Sequence, residues 1–400
     1  MRVAAVIAEY NPFHNGHRFH IDAIRRDLGE DTAVVAIMSG SFTQRGEAAV
    51  ADKWTRAACA IEGGVNLVLE LPFPYSLSSA EFFARAGVCI ADALGVADTL
   101  SFGSECGDLS ALSKAAENTS CEEYRKTLSD LLNASPEKGY ARAASEAYRR
   151  LYGEDSAFVC TPNDILAAEY LRALSVYGGM KPHTVRREGS SYHETDLRPN
   201  AYPSATALRL AMKEGVLTED TMPYGAYALL RRAIDCGSAP CDGERLFPAV
   251  LSSFMLNRPF APDSIHDAKG GLYHRLRRYA DEATSLSSWI ALSETKKYTR
   301  ARLRRALWYS FFGVTSSDVS EPPAYTQLLG ADDVGLTLLK RIRKTTAIPI
   351  LTKPSDTDGL TVLARRKKQL ADTADKLFLQ TMPSPLPPAT ALRGRPYLKK

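Results

Sequence analysis

"IAEYNPFHNGHRFHIDAIRRD", residues 7–27, decides how the chain is read. The apolar run Val3–Ala8 that leads into it reads as a buried strand, and Gly16 onward carries the apolar spacing of a helix that closes at Gly29. A strand, a short loop and a helix in that order open a βα unit. The helix start brings unpaired backbone N–H groups and a partial positive charge, so it favours an anion. Gly16 has no Cβ and lets a phosphate approach the backbone. His14 and His17, three apart across the turn, are placed to donate to one phosphate. Two surface histidines at a helix start are the plain alternative, and His20, one turn further, reads as ordinary packing or solvation.

Outward from this stretch the alternation continues. "TAVVAIMS", "VNLVLELP", "TLSFGSE" and "MKPHTVRRE" read as strands. Between them lie the helices "DKWTRAACAIEGG", with Asp52 as N-cap, "SSAEFFARAGVCIADALG", a helical stretch over roughly 108–152, and "PNDILAAEYLRALSVYG", with Pro162 in its first turn. Strands alternating with helices imply a doubly wound, parallel-sheet α/β domain over residues 1–215. Strand signals fade beyond about 215, so 216–380 is expected to be mostly helical, and the Pro-rich basic segment 381–400 to be a poorly ordered tail. The N-terminus meets Glu9 too early for a signal peptide, no apolar run reaches membrane-spanning length, and the cysteines are scattered without a C-x-x-C pair. A reduced, cytoplasmic protein is expected.

Charge divides the chain. Residues 1–268 hold 26 Lys/Arg and 35 Asp/Glu (−9), whereas 269–400 hold 24 and 11 (+13). Such asymmetry suggests that the second part meets a polyanion, although a solvated basic surface gives the same count. The densest stretch is "ETKKYTRARLRRALW", where Lys296, Lys297, Tyr298, Arg300 and Arg304 are the expected RNA contacts. A second anion-directed pattern, "SATALR" at 204–209, puts Ser204 at an N-cap, Thr206 in the first turn and Arg209 beyond, a set suited to terminal phosphates.

His14-Asn15-Gly16-His17 together with Ser204–Arg209 resembles the HxGH nucleotidyltransferase superfamily, which includes the class I aminoacyl-tRNA synthetases. The longer stretches "AEYNPFHNGH", "MSGSFTQRGEAAVADKWTRA", "GVNLVLELPF", "FGSECGD", "PNDILAAEYL", "YPSATALR" and "ETKKYTRARLRRAL" are similar to the tRNA(Met) cytidine acetate ligase family, from residue 1 to about 355. The resemblance implies a Rossmann-like nucleotidyltransferase domain and a two-step reaction. Acetate attacks the α-phosphate of ATP to give acetyl-adenylate, and the acetyl group then passes to N4 of the wobble cytidine of elongator tRNA(Met). It implies that His14 and His17 are catalytic. It also implies an ATP site formed by Ile7, Ala8, Glu9, Tyr10, Asn11, Pro12, Phe13, His14, Asn15, Gly16, His17, Arg18, Phe19 and His20. Gly103, Asn163 and Arg187 (or its neighbour Arg186) join that site, with Ser204, Thr206 and Arg209. Mg²⁺ is expected with ATP, because the leaving pyrophosphate needs neutralising; no carboxylate cage marks a protein-held metal.

Gln44, Arg45 and Lys53, in the loop after the second strand, are either contacts for acetate or cytidine or a structured surface loop. "SSYHETD" (190–196) is either a cover over the site, with His193 as proton acceptor, or a solvated loop. Two other functions remain compatible with the residues: an adenylyltransferase of coenzyme biosynthesis, and a non-catalytic RNA-binding factor that keeps a nucleotide fold.

Overall fold

The computed structural model describes residues 1–135, 140–153, 161–187, 203–256, 262–268, 270–353 and 356–399. The first half builds β1 (Val3–Ala8), α1 (Asn15–Leu28), β2 (Ala33–Ser39), the two-residue strands β3 (Phe42–Thr43) and β4 (Glu47–Ala48), α2 (Lys53–Glu62), β5 (Leu67–Leu71), α3 (Ala80–Ala93) and β6 (Thr99–Ser104). Three helices, α4 (Leu109–Ser120), α5 (Glu122–Ala134) and α6 (Tyr140–Tyr152), precede α7 (Pro162–Tyr177), β7 (Lys181–Arg186) and α8 (Ala205–Glu214). Capping explains the helix starts. Asp52 accepts from the amides of Trp54 and Thr55, and Ser204 accepts from that of Ala207.

Strands β5-β2-β1-β6-β7 lie side by side in that order and run parallel. Chain order therefore reverses between β1 and β6, and the crevice at the carboxyl ends of these two strands is where an open α/β sheet receives its ligand. Both faces are covered. Ile7, Val35 and Leu69 pack under Phe83, Tyr170 and Leu338 on one side, while Val6, Ala36 and Val68 pack against Ile24, Ala57, Leu208 and Leu230 on the other. Continuous burial along β1, β2 and β5 is the consequence, and it is why those segments are near-unbroken apolar runs.

Beyond residue 215 the helices α9 (Tyr224–Asp235), α10 (Phe247–Met255), α11 (Leu272–Ala280), α12 (Leu286–Ser293), α13 (Arg300–Phe312) and α14 (Ser316–Ser320) follow, as composition suggests. The next segment is a strand that the mostly helical reading did not name. β8 (Thr326–Ala331) is wholly buried and pairs antiparallel with β5, extending the sheet. After α15 (Asp333–Thr345), β9 (Ile350–Leu351) and α16 (Val362–Phe378), the chain returns to the sheet as β10 (Tyr397–Leu398) beside β8. The expected loose tail is therefore tied down: the Tyr397 hydroxyl and the Lys399 ammonium both reach Glu62. α10–α13 and α16 enclose a core of their own around Phe254, Trp289 and Leu303, which also takes in Phe42 and Phe73 from the first half. Among the described residues no helix is long and apolar enough to cross a membrane.

Candidate active site at the crossover of the sheet

A cleft of about 230 Å³ opens at the carboxyl ends of β1 and β6. Tyr10, in the left-handed region at φ 45°, turns the chain out of β1, and His14 then caps α1. The Gly16 amide donates to His14 Nδ1 at 3.0 Å, and the His14 amide donates to His17 Nδ1 at 3.2 Å. Each Nδ1 must hold a lone pair to accept, so in the neutral ring the proton sits on Nε2. The two rings lie 3.8 Å apart between centroids. Burial, followed by the charges of Arg187 and Arg209, pushes the His14 pKa down to about 3. Burial first, then His14 and Arg187, likewise depresses His17, and His20 falls to about 4 through burial and His183. The site therefore presents two neutral Nε2–H donors inside a positive field, which suits an anion that gains charge as it reacts.

Arg209 closes one end. It donates to the Asn11 carbonyl at 3.0 Å and to the Thr206 hydroxyl at 3.2 Å, so "SATALR" and the opening loop are joined through one guanidinium. Arg187 rather than Arg186 acts on the histidines: its charge depresses all three, whereas Arg186 packs over Gly107. Gly103 is needed for closeness, since a Cβ there would lie 3.3 Å from the Arg187 side chain. Asn163 is held in the cleft by donating to Glu105 at 2.5 Å, and Glu105 in turn accepts from the Asp164 amide. Glu9 stands half-buried in the cleft, accepts from the Gln44 amide at 2.8 Å and has its pKa raised by desolvation.

Of the expected nucleotide residues, Ile7, Ala8, Glu9, Tyr10, Asn11, His14, Gly16, His17, Phe19, His20, Gly103, Asn163, Arg187, Ser204 and Arg209 line this cleft, as do Gln44 and Arg45. Pro12, Phe13, Asn15, Arg18 and Thr206 do not. Phe13 is core, Asn15 donates to the Asp220 carbonyl, and Arg18 pairs with Asp22 at 2.9 Å. Thr206 faces a neighbouring cavity. His20 is held by the fold: its Nε2 lies 2.9 Å from the Ser101 hydroxyl, which also meets His183 Nδ1 at 3.0 Å. Lys53 is no substrate contact, because its ammonium is buried between Glu70 at 2.8 Å and Asp375 at 2.7 Å. His193 and its loop lie outside the described residues.

Sequence reasoning missed Arg56. It is buried and donates to the carbonyls of Ala51, Glu9, Ser39 and Gly40, lacing together the ends of β1 and β2. An arginine directly before the apolar run Ala57–Ile61 in "KWTRAACAIE" was the available signal.

The basic helix differs from its expectation. Tyr298 is buried and donates to the Gly270 carbonyl at 2.7 Å, so it offers no open face for a base. Arg302 and Arg305 share Asp267, Arg304 pairs with Glu47, and Arg300 with Glu294 at 2.7 Å. Lys296 and Lys297 are exposed and make no ion pair with the described residues.

The HIGH nucleotidyl transferase family matches residues 1–387. A tRNA(Met) cytidine acetate ligase of Caldanaerobacter subterraneus subsp. tengcongensis is 35% identical over 88% of this chain and 89% of its own, and that of Syntrophotalea carbinolica 37% over 89% and 85%. Among solved structures, apo TmcAL of Thermotoga maritima is 31% identical with a TM-score of 0.90, covering 100% of this chain and 99% of that one. The same protein bound with alpha-thio ATP gives 30% and 0.88, covering each chain in full.

Proposed function

The chain belongs to the HIGH nucleotidyl transferase family and within it to the tRNA(Met) cytidine acetate ligases, and from that premise we propose how its own residues carry the reaction. ATP lies with its triphosphate across the start of α1. The Nε2–H groups of His14 and His17 donate to the α-phosphate, and Arg187 neutralises its neighbourhood. Ser204 and Arg209 take the outer phosphates, with Thr206 holding Arg209. Gly103 and Asn163 receive the adenosine side. A carboxylate oxygen of acetate bonds to the α-phosphorus while the bond to pyrophosphate breaks, giving acetyl-adenylate. The wobble cytidine's N4 then bonds to the acetyl carbon, AMP leaves with the electron pair, and one N4 proton is lost to solvent.

The observation that carries this reading is the pair of neutral Nε2–H donors fixed by backbone amides at a helix N-terminus and flanked by two arginines. Mg²⁺ would enter on the triphosphate, where it would neutralise the charge of the leaving pyrophosphate. The helical unit α10–α13, with Lys296, Lys297 and Arg300 exposed at its surface, would hold the anticodon arm of elongator tRNA(Met) in the cytoplasm.

Labelled acetate, ATP and tRNA(Met), followed by mass spectrometry of the digested nucleosides, test the scheme. The expected result is an acetylated cytidine, one AMP per acetyl group, and pyrophosphate release that needs acetate. Pyrophosphate release indifferent to acetate, with unmodified tRNA, would overturn it in favour of a coenzyme adenylyltransferase.

A further inference from the structure

A second cavity, of about 300 Å³, adjoins the nucleotide cleft and belongs to no step derived above. The two share Arg209, and the loop between β2 and α2 lines both: Gln44 and Arg45 face the cleft, while Gly46 and Glu47 face the cavity. Its far wall is α13, contributing Arg304, Leu307 and Trp308. The cavity thus lies between the phosphate-binding residues and the helix expected to meet RNA. Gly46 makes that approach possible, because at φ 77° a Cβ would collide with the Arg304 side chain, and the Trp308 indole donates to the Gly46 carbonyl at 3.0 Å.

Building on the ligase reading, we propose that this cavity receives the extruded wobble cytosine. An extruded base needs apolar surface for its ring and polar groups for its edge. Leu286, Leu307 and Trp308 supply the first. Glu47 supplies the second: one carboxylate oxygen pairs with Arg304, while the other stands 3.8 Å from Arg209, too far for a hydrogen bond, and keeps a lone pair for an N–H donor. Cytosine offers that donor at N4. Uracil presents a carbonyl oxygen there, which the carboxylate repels. Pyrophosphate departs from the Arg209 end, so its release clears the passage between base and acetyl-adenylate.

Two occluding variants test this in the full-length protein. Leu210→Trp on α8 and Ser287→Trp on α12 enter the cavity from two different helices, and both positions are exposed in the native fold. Single-turnover acetyl transfer from preformed acetyl-adenylate to tRNA(Met) is expected to fall by about 100-fold in each, while acetate-dependent ATP–pyrophosphate exchange stays within about twofold. A third arm reads recognition without turnover. Wild-type protein should prefer an anticodon stem-loop with wobble C over wobble U by about tenfold, and Glu47→Gln should erase most of that preference. Transfer within about threefold of wild type in both tryptophan variants would overturn the cavity assignment, as would loss of exchange together with transfer. A wild-type protein without acetate-dependent exchange would instead remove the ligase reading on which the assignment rests.

Discussion

The start of α1 and the whole of α13 both looked like anion sites in the sequence, yet they are built in opposite ways. At α1 each functional ring is fixed by a backbone amide no more than three residues away. At α13 the arginines answer to acids elsewhere: Glu47 on the β4 strand, Asp267 before α11, and Glu294 before α13 itself. The first leaves both histidine rings lining the cleft. The second uses most of its cations to hold the molecule together. Positive residues in a sequence therefore say little about free positive charge until their partners are known, whereas a motif closed by its own backbone announces its function locally.

The strongest attack on this contrast is to remove the donors. His14→Ala with His17→Ala is expected to slow acetate-dependent ATP–pyrophosphate exchange by about 1,000-fold, the scale of losing transition-state donors. tRNA binding, measured by filter retention, should stay within about twofold, because the cations near α13 are untouched. Exchange that survives the double substitution would make the paired histidines a capping device and nothing more.

A smaller effect is expected where α13 is stapled. Asp267 receives Arg302 at 2.9 Å and Arg305 at 3.1 Å, and the Arg305 side chain is largely buried. Asp267→Asn leaves two guanidinium groups facing a neutral amide, and should cost about 2 kcal/mol of unfolding free energy by urea titration. Stability unchanged within about 0.5 kcal/mol would show that these arginines are free for RNA after all, and the contrast with α1 would fail.

What the sequence disclosed follows the same division. β1, β2 and β5 were legible because both-sided burial forces near-unbroken apolar runs, α1 by its apolar spacing, and α2 and α8 because Asp52 and Ser204 cap them within three residues. β8 escaped notice for a complementary reason: six residues containing Thr326, Gln327 and Gly330 carry weak strand character, and pairing with β5 supplies the rest. β10 has only two residues and depends on β8 being there. Gly103 and Asn163, implied by the resemblance, both line the cleft. Arg18 and Phe13 could not be excluded, because only the folded chain shows that one faces Asp22 and the other fills the core. Tyr298 illustrates the same limit at α13, where an aromatic beside basic residues turned out to be packing.

The smallest expected effect is also the most discriminating for the RNA surface. Lys296 and Lys297 are exposed without an ion pair to the described residues, while Arg300 is exposed but engaged by Glu294. If free charge is what RNA reads, Lys296→Ala with Lys297→Ala should weaken tRNA binding by about tenfold and lower the salt slope by about 1.4, at roughly 0.7 per lost phosphate contact. Glu294→Gln should act in the other direction. It releases Arg300, removes a nearby negative charge, and should tighten binding by about twofold, since exposed ion pairs are weak and little is given up in breaking one. Both substitutions move charge by small amounts at neighbouring positions, so a merely structural role for the segment would not make them differ in sign. Opposite shifts would establish that the tRNA backbone passes over the residues preceding α13; equal weakening would place it elsewhere and leave α13 as scaffold alone.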